Sequence, residues 1–329
     1  MDRRAFLIGM ASGFVVGPGG AHAQPAAPAK TVRIGVLRAA PDAPIFRQNF
    51  ARFNQALREA GFVEGVNLVM EFRVRAGRTE DMSRLAQELI RLGVDAFLAI
   101  GPAAVQAAAG ATRAIPIVAM DLESDPVAAG FAVSLARPGR NVTGVFLDFP
   151  ELSGKWIQLL RELVPRLARV AVVWDPSTPG LLLKGAETAA RTLRVEMFAL
   201  EALTAEDFAA VFRSAAEKRA DAVLVLSSPT FYSARPQIVE GAARHRMPTS
   251  MPFPEFAVHG GLLAYGPDIP AMFRQAGDVM VRVLRGTRAG DIPLELPARF
   301  ELVVNRRTAT SLGLGLSPSM IARADRVIE

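Results

Sequence analysis

From residue 31 to the C-terminus, short runs of apolar residues alternate with longer stretches in which apolar positions recur every three or four residues. Parallel strands joined by helical crossovers give this pattern. The first run, 32–37, is continuous enough for a strand buried on both faces. Phe46, Phe50, Phe53 and Leu57 then mark one helical face over 46–60, which Gly61 ends. A strand at 68–74, a helix over 79–92, a strand at 96–100, a helix from Pro102 and strands at 117–120 and 142–147 follow. The turn Arg137-Pro138-Gly139-Arg140 precedes the last of these.

The alternation then starts again. Helices are predicted over 152–164, 181–193, 205–218 (with Thr204 as N-cap) and 236–245, and strands over 170–174, 195–200, 222–226 and 249–251. After Gly260-Gly261 the segment 262–266 is expected to cross back toward the first half, ahead of a helix over 269–284 and a strand over 300–305. The restart is also a sequence repeat: Val94-Asp95-Ala96-Phe97-Leu98 answers to Ala220-Asp221-Ala222-Val223-Leu224, and Gly101-Pro102-Ala103 to Ser228-Pro229-Thr230. The expected fold class is therefore α/β, with two doubly wound parallel-sheet lobes joined by a multi-strand hinge. Residues 31–146 and 268–296 are assigned to lobe 1, and 147–267 and 297–329 to lobe 2.

Composition narrows the chemistry. With 329 residues, half of them hydrophobic, the chain has material for two cored domains. A net charge of +6 is carried by scattered arginines without a basic run or recognition motif, so no nucleic-acid partner is expected. Zero cysteines remove disulfides, thiol catalysis and thiolate metal sites, and three histidines make a histidine metal cluster improbable, so no metal or cofactor is expected. No Gly-x-Ser-x-Gly elbow, dinucleotide fingerprint or phosphate loop is present, which argues against an enzyme.

The N-terminus reads as an address. Arg3-Arg4 before an apolar run, with Ala21-His22-Ala23 as a small-x-small site, predicts a signal peptide over 1–23 of twin-arginine-like or general secretory type. An Ala/Pro-rich leader, 24–30, follows. Export to the periplasm is expected, and without a cysteine after the cleavage region the mature chain is not a lipoprotein.

Ser124-Asp125-Pro126-Val127, Arg137-Pro138-Gly139-Arg140-Asn141-Val142-Thr143-Gly144, Ala264-Tyr265-Gly266-Pro267-Asp268 and Phe300-Glu301-Leu302-Val303-Val304-Asn305, followed by Leu312-Gly313-Leu314, resemble bacterial ABC-transporter substrate-binding proteins of the tryptophan/tyrosine-binding type. The resemblance covers nearly all of 31–329. It implies a type I periplasmic-binding fold with three hinge crossings, a monomer that encloses a small ligand between its lobes and presents it to an inner-membrane ABC permease. One departure stands out: where similar proteins carry a hydroxyl residue after the glycine ending the third strand, this chain has Gly101-Pro102-Ala103.

In open α/β sheets, ligands collect beyond the carboxyl ends of the strands. That rule selects Arg38, Gly101, Pro102, Ala103, Asp121, Asp125 and Asp148 in the first half, and Trp174, Ser177, Ser228, Thr230, Phe253 and Glu255 in the second. Tyr265 is added on the expected return crossing. Arg38 offers a planar fork for a carboxylate, and Asp121, Glu123 and Asp125 offer acceptors for an ammonium group. Each has a structural alternative: Asp125 before a proline also opens a turn, Trp174 also closes a buried strand, and Asp175-Pro176-Ser177 also starts a helix.

Overall fold

The computed structural model describes residues 31–40, 43–74, 79–147 and 150–329. The expected signal peptide and leader, and Asp148, lie outside the described residues. The first half runs β1 (Val32–Arg38), α1 (Pro44–Glu59), β2 (Leu68–Val74), α2 (Thr79–Arg91), β3 (Ala96–Ile100), α3 (Pro102–Ala111), β4 (Ile117–Asp121) and β5 (Val142–Phe146). These strands form one parallel sheet of order β2-β1-β3-β4-β5.

The second half runs α4 (Pro150–Leu163), β6 (Arg169–Trp174), α5 (Leu181–Leu193), β7 (Glu196–Glu201), α6 (Phe208–Glu217), β8 (Ala222–Val225), α7 (Pro229–Ser233), α8 (Arg235–Arg244), β9 (Thr249–Met251), α9 (Pro254–Val258) and β10 (Leu263–Pro267). Next come α10 (Ile269–Leu284), β11 (Phe300–Asn305), α11 (Arg306–Ser311), α12 (Pro318–Arg323) and β12 (Arg326–Ile328). The second sheet has the order β12-β11-β10-β9-β8-β6-β7, parallel except for the antiparallel β10–β11 pair. Its β7-β6-β8-β9-β10 portion reproduces the strand order of the first sheet, so the repeat in sequence is a repeat in topology.

Period-two alternation within the continuous apolar runs explains the layering. Ile34, Val36, Leu98 and Val118 face α1 and α10, while Leu37, Phe97, Ala99 and Ala119 face α2 and α3. Phe53 of α1 is fully buried, worth about 1.5–3 kcal/mol by apolar transfer alone. At Gly277 of α10 an added Cβ would lie 2.6 Å from the Ala56 Cβ and 2.9 Å from the Phe53 carbonyl, so the glycine lets α10 lie against α1. In the second lobe Val170, Val172 and Leu224 face α4 and α5, and Ala171, Val173 and Val225 face α6 and α8.

The segment 262–266, expected as a crossing, is instead an internal strand: β10 pairs with β9 on one side and β11 on the other. The chain leaves the second sheet only at Asp268, and α10 then packs on α1, β4 and β5. The short helices α7, α9, α11 and α12 and the strand β12 were not anticipated. Five or six residues carry no readable helical period, and α7, α11 and α12 are specified by the capping side chains of Ser228, Asn305 and Ser317.

Candidate functional site

With the order 2-1-3-4-5, each sheet has its topological switch point between its first and third strands, where successive crossovers leave on opposite faces and open a crevice. In the first lobe the switch point lies between the ends of β1 and β3, at Arg38 and Gly101; in the second it lies between β6 and β8, at Asp175 and Ser228. The two switch points face each other. At Gly101, which has φ +87°, an added Cβ would lie 2.8 Å from Pro229 Cγ, so the backbone of one lobe touches the side chain of the other.

Side-chain hydrogen bonds cross between the lobes around the cavity. Arg38 Nη2 donates to Ser233 Oγ (3.3 Å), Asn49 Nδ2 to the Tyr232 hydroxyl (2.7 Å), and Ser227 Oγ to Glu123 Oε1 (2.5 Å). Apolar packing is continuous across the same boundary, from Phe46 and Met272 to Phe253. The lobes are therefore closed on one another.

A cavity lies between them. Its first-lobe wall is apolar: Phe46, Ile100, Met120 and Leu122, with Ile269, Met272 and Phe273 at the start of α10. Pro229, Tyr232 and Phe253 close it from the second lobe, the last two rings meeting edge to face at 4.8 Å. Two ionisable groups of opposite sign share the lining, Arg38 and Glu123. The Arg38 guanidinium lies 4.1 Å over the Phe46 ring, which holds its plane by a cation–π contact. An apolar, aromatic-walled chamber with one cation and one carboxyl group suits a ligand with an apolar body and a polar head.

Behind Glu123 lies an acidic cluster. Asp121 has no exposed surface; its Oδ1 accepts from the amides of Glu123 (3.0 Å) and Ser124 (3.1 Å), while its Oδ2 has no hydrogen-bond partner. Burial, then the neighbouring charges of Asp121 and Asp175, push the Glu123 carboxyl up to about 8, and burial also raises Asp121. Asp175 itself is satisfied: Oδ1 accepts from Ser177 N (2.9 Å) and Ser177 Oγ (2.6 Å), and Oδ2 from Ser228 Oγ (2.6 Å). The Tyr232 phenol is raised by burial and by Glu255, whose Oε1 accepts from it at 3.2 Å; burial raises Glu255 as well.

The structure thus brings Arg38, Gly101 and Phe253 to one cavity, with Asp121 buried behind it. Pro102, Ala103 and Ser177 line a second, more polar interlobe cavity of about 730 Å³, together with Ser124, Phe131 and Thr178. Of the described residues, the others selected from sequence line neither. Asp125 is exposed and accepts from Val127 N (2.8 Å) and Ala128 N (3.0 Å), so its carboxylate closes a turn. Trp174 packs in the core beside α4 and α5, and Tyr265 tilts against Phe300 with ring centroids 6.0 Å apart. Ser228 caps α7, accepting from Thr230 N (3.1 Å) and Phe231 N (3.4 Å) while donating to Asp175, so its hydroxyl is occupied and Thr230 serves the same turn. Glu255 holds Tyr232 and does not line the cavity.

Of the lining residues that reasoning from sequence did not select, Phe46, Met272 and Phe273 lie on helical faces that read as core. Glu123 was visible only as one of three acidic residues. Its signal is position: it follows the β4 strand end by two residues.

Two duplicated α/β lobes, closed over a chamber at their facing switch points, form a clamshell. The ABC transporter substrate binding protein family model matches residues 43–328, and the chain belongs to that family, whose members bind small ligands and partner with ABC permeases. A Tyrosine-binding protein of Clostridioides difficile (strain R20291) is 25% identical over 264 residues, 80% of this chain and 75% of that one. Among solved structures, a conserved domain protein from Vibrio cholerae superposes with TM-score 0.82 at 24% identity, covering 91% of this chain and all of that one. An ABC domain from Streptococcus pneumonia in complex with L-Trp gives 0.81 at 22% identity, again over 91% and 100%. A ligand-free, open substrate-binding protein from Clostridium difficile gives only 0.62 at 22% identity, over 90% and 99% of the two chains. Among the described residues, no helix is long and apolar enough to cross a membrane.

Proposed function

We propose that the mature chain is a periplasmic receptor that captures a zwitterionic amino acid with an aromatic or large apolar side chain and delivers it to an ABC permease. The observation that carries this reading is the first cavity: apolar and aromatic walls from both lobes, with Arg38 and Glu123 as its ionisable lining. Arg38 receives the ligand carboxylate through its planar fork, Glu123 faces the ammonium group, and Phe46, Tyr232 and Phe253 enclose the side chain. Contacts to both lobes make binding favour the closed state, which is what a permease can distinguish from the open one. The Tyr-binding relative supports the amino-acid class, and the charged, apolar-cored N-terminus with its Ala21-His22-Ala23 site supports export.

Thermal-shift and calorimetric screening of the mature protein against L-tyrosine, L-tryptophan, L-phenylalanine, L-leucine and L-lysine tests the reading. A ligand at one hundred times its dissociation constant adds about 2.7 kcal/mol of stability. The aromatic members should give the largest shifts, and Arg38→Met should weaken them about 10- to 100-fold. A screen in which no amino acid raises the melting temperature would remove the ligand class.

A further inference from the structure

Several buried polar atoms of the described residues lack a hydrogen-bond partner, and one of them is a carboxylate oxygen of Asp121. Asp121 Oδ2 is sealed from solvent, accepts no hydrogen bond, and belongs to a residue with no exposed surface. Next to it, Glu123 is 2% exposed, lines the ligand cavity, and takes a hydrogen bond across the lobe boundary from Ser227. A third carboxyl, Asp175, adds its charge from the second lobe. Arg38 is the cation sharing the chamber, and it is engaged by the Phe46 ring and Ser233; Tyr232, the remaining titratable lining group, is held by Asn49 and Glu255. Carboxyl groups gathered in a dry boundary cannot all stay ionised, so lobe closure requires a positive partner at this place.

We propose that the Asp121–Glu123 pair is a cation subsite, occupied by a proton when the lobes close empty and by the ammonium group of the ligand when they close loaded. Glu123 presents the oxygen that faces the chamber. Asp121, behind it, supplies the second negative charge that makes the exchange favourable. The subsite rests on the receptor reading above, but its proton can be observed without any ligand.

The sign follows from linkage. In the closed form the Glu123 carboxyl is pushed up to about 8; opening lets water reach it and removes the Asp175 charge of the other lobe, so it falls back toward the ordinary 4.5. The closed empty state binds more protons, so acid favours it, and the closed-to-open ratio falls about tenfold per pH unit between roughly 5 and 8 before levelling off. Loading the closed form with an ammonium-bearing ligand expels the proton.

Two measurements test this. In the empty mature protein, small-angle scattering or interlobe energy transfer from pH 5 to 8.5 should report opening as pH rises. Glu123→Gln, a neutral isostere that still accepts from Ser227, should stay closed throughout; a pH-independent wild type, or a variant that tracks the wild type, overturns the proposal. Calorimetry at pH 6 in buffers of different ionisation enthalpy then uses L-tryptophan and its deaminated analogue 3-indolepropionate. Wild type should release up to one proton on binding L-tryptophan and none with the analogue, and Glu123→Gln should release none and bind L-tryptophan at least about tenfold more weakly. Equal proton release with both probes overturns the ammonium half. If neither probe binds, the aromatic ligand class falls, while the pH titration still decides whether the pair holds a proton.

Discussion

The turn from β3 into α3 and the turn from β8 into α7 occupy equivalent places in sheets of equivalent order, yet they are built differently. In the first lobe Gly101, at φ +87°, precedes a ten-residue helix with no capping side chain, and its bare backbone is what the opposite lobe touches. In the second, Ser228 caps a five-residue helix and is tied to Asp175. The hydroxyls that distinguish the second turn are consumed within it, so they stiffen one jaw, while the oppositely charged lining groups of the first cavity, Arg38 and Glu123, come from the other. Duplication supplied the frame, and divergence assigned one turn to closure and its counterpart to rigidity.

Five substitutions sharpen or break that contrast. Gly101→Val should have the largest effect, because the closed state would combine strain at positive φ with collision against Pro229, together about 3 kcal/mol. Ligand affinity should fall about a hundredfold, and scattering should show an opened molecule; a closed, tightly binding variant would mean the Gly101–Pro229 contact does not set closure. Ser228→Ala removes a cap and leaves Asp175 Oδ2 without its donor, so urea unfolding should show a loss of about 2 kcal/mol. In the first lobe Ala103→Ser, at the counterpart of Thr230, should stay within about 0.5 kcal/mol, and a loss equal to that of Ser228→Ala would erase the distinction.

Tyr232→Phe deletes the hydroxyl between Asn49 and Glu255. About 1 kcal/mol of closed-state stabilisation should go with it, seen as roughly fivefold weaker ligand binding by calorimetry. Asp125→Ala should cost about 0.5–1 kcal/mol in thermal stability from the opened turn, with ligand affinity unchanged. Weakened binding there would return Asp125 to the site.

Much of the fold was legible because its strands are buried on both faces and its long helices keep one apolar stripe. The strands 68–74, 96–100 and 249–251 and the helices 181–193 and 269–284 fall at the boundaries their patterns indicate. The crossing expected at 262–266 failed for a definite reason: a short apolar run flanked by glycines reads alike as an internal strand or a passage between lobes, and only β11 lying antiparallel beside it decides. Site legibility divided differently. The strand-end rule found Arg38, Gly101, Asp121 and Phe253, since topology alone puts them near the crevice. It could not separate a hydroxyl facing a ligand from one satisfied by its own turn, which is where Ser228 and Asp125 ended. Nor could it find Phe46, Met272 and Phe273, which belong to helices that serve core and cavity with the same face.

The chain passes from the second sheet toward the first at Asp268 and returns ahead of Phe300, and the two passages are joined by a hydrogen bond from Asp268 N to the Arg299 carbonyl (3.0 Å). Backbone segments bonded side by side flex across their common plane more readily than they slide or twist past one another. Relative movement of the lobes is thereby confined to something close to a single angle. On the receptor function proposed above, occupancy of the chamber would be reported on the outer surface as one number, and a membrane partner would need to measure nothing else.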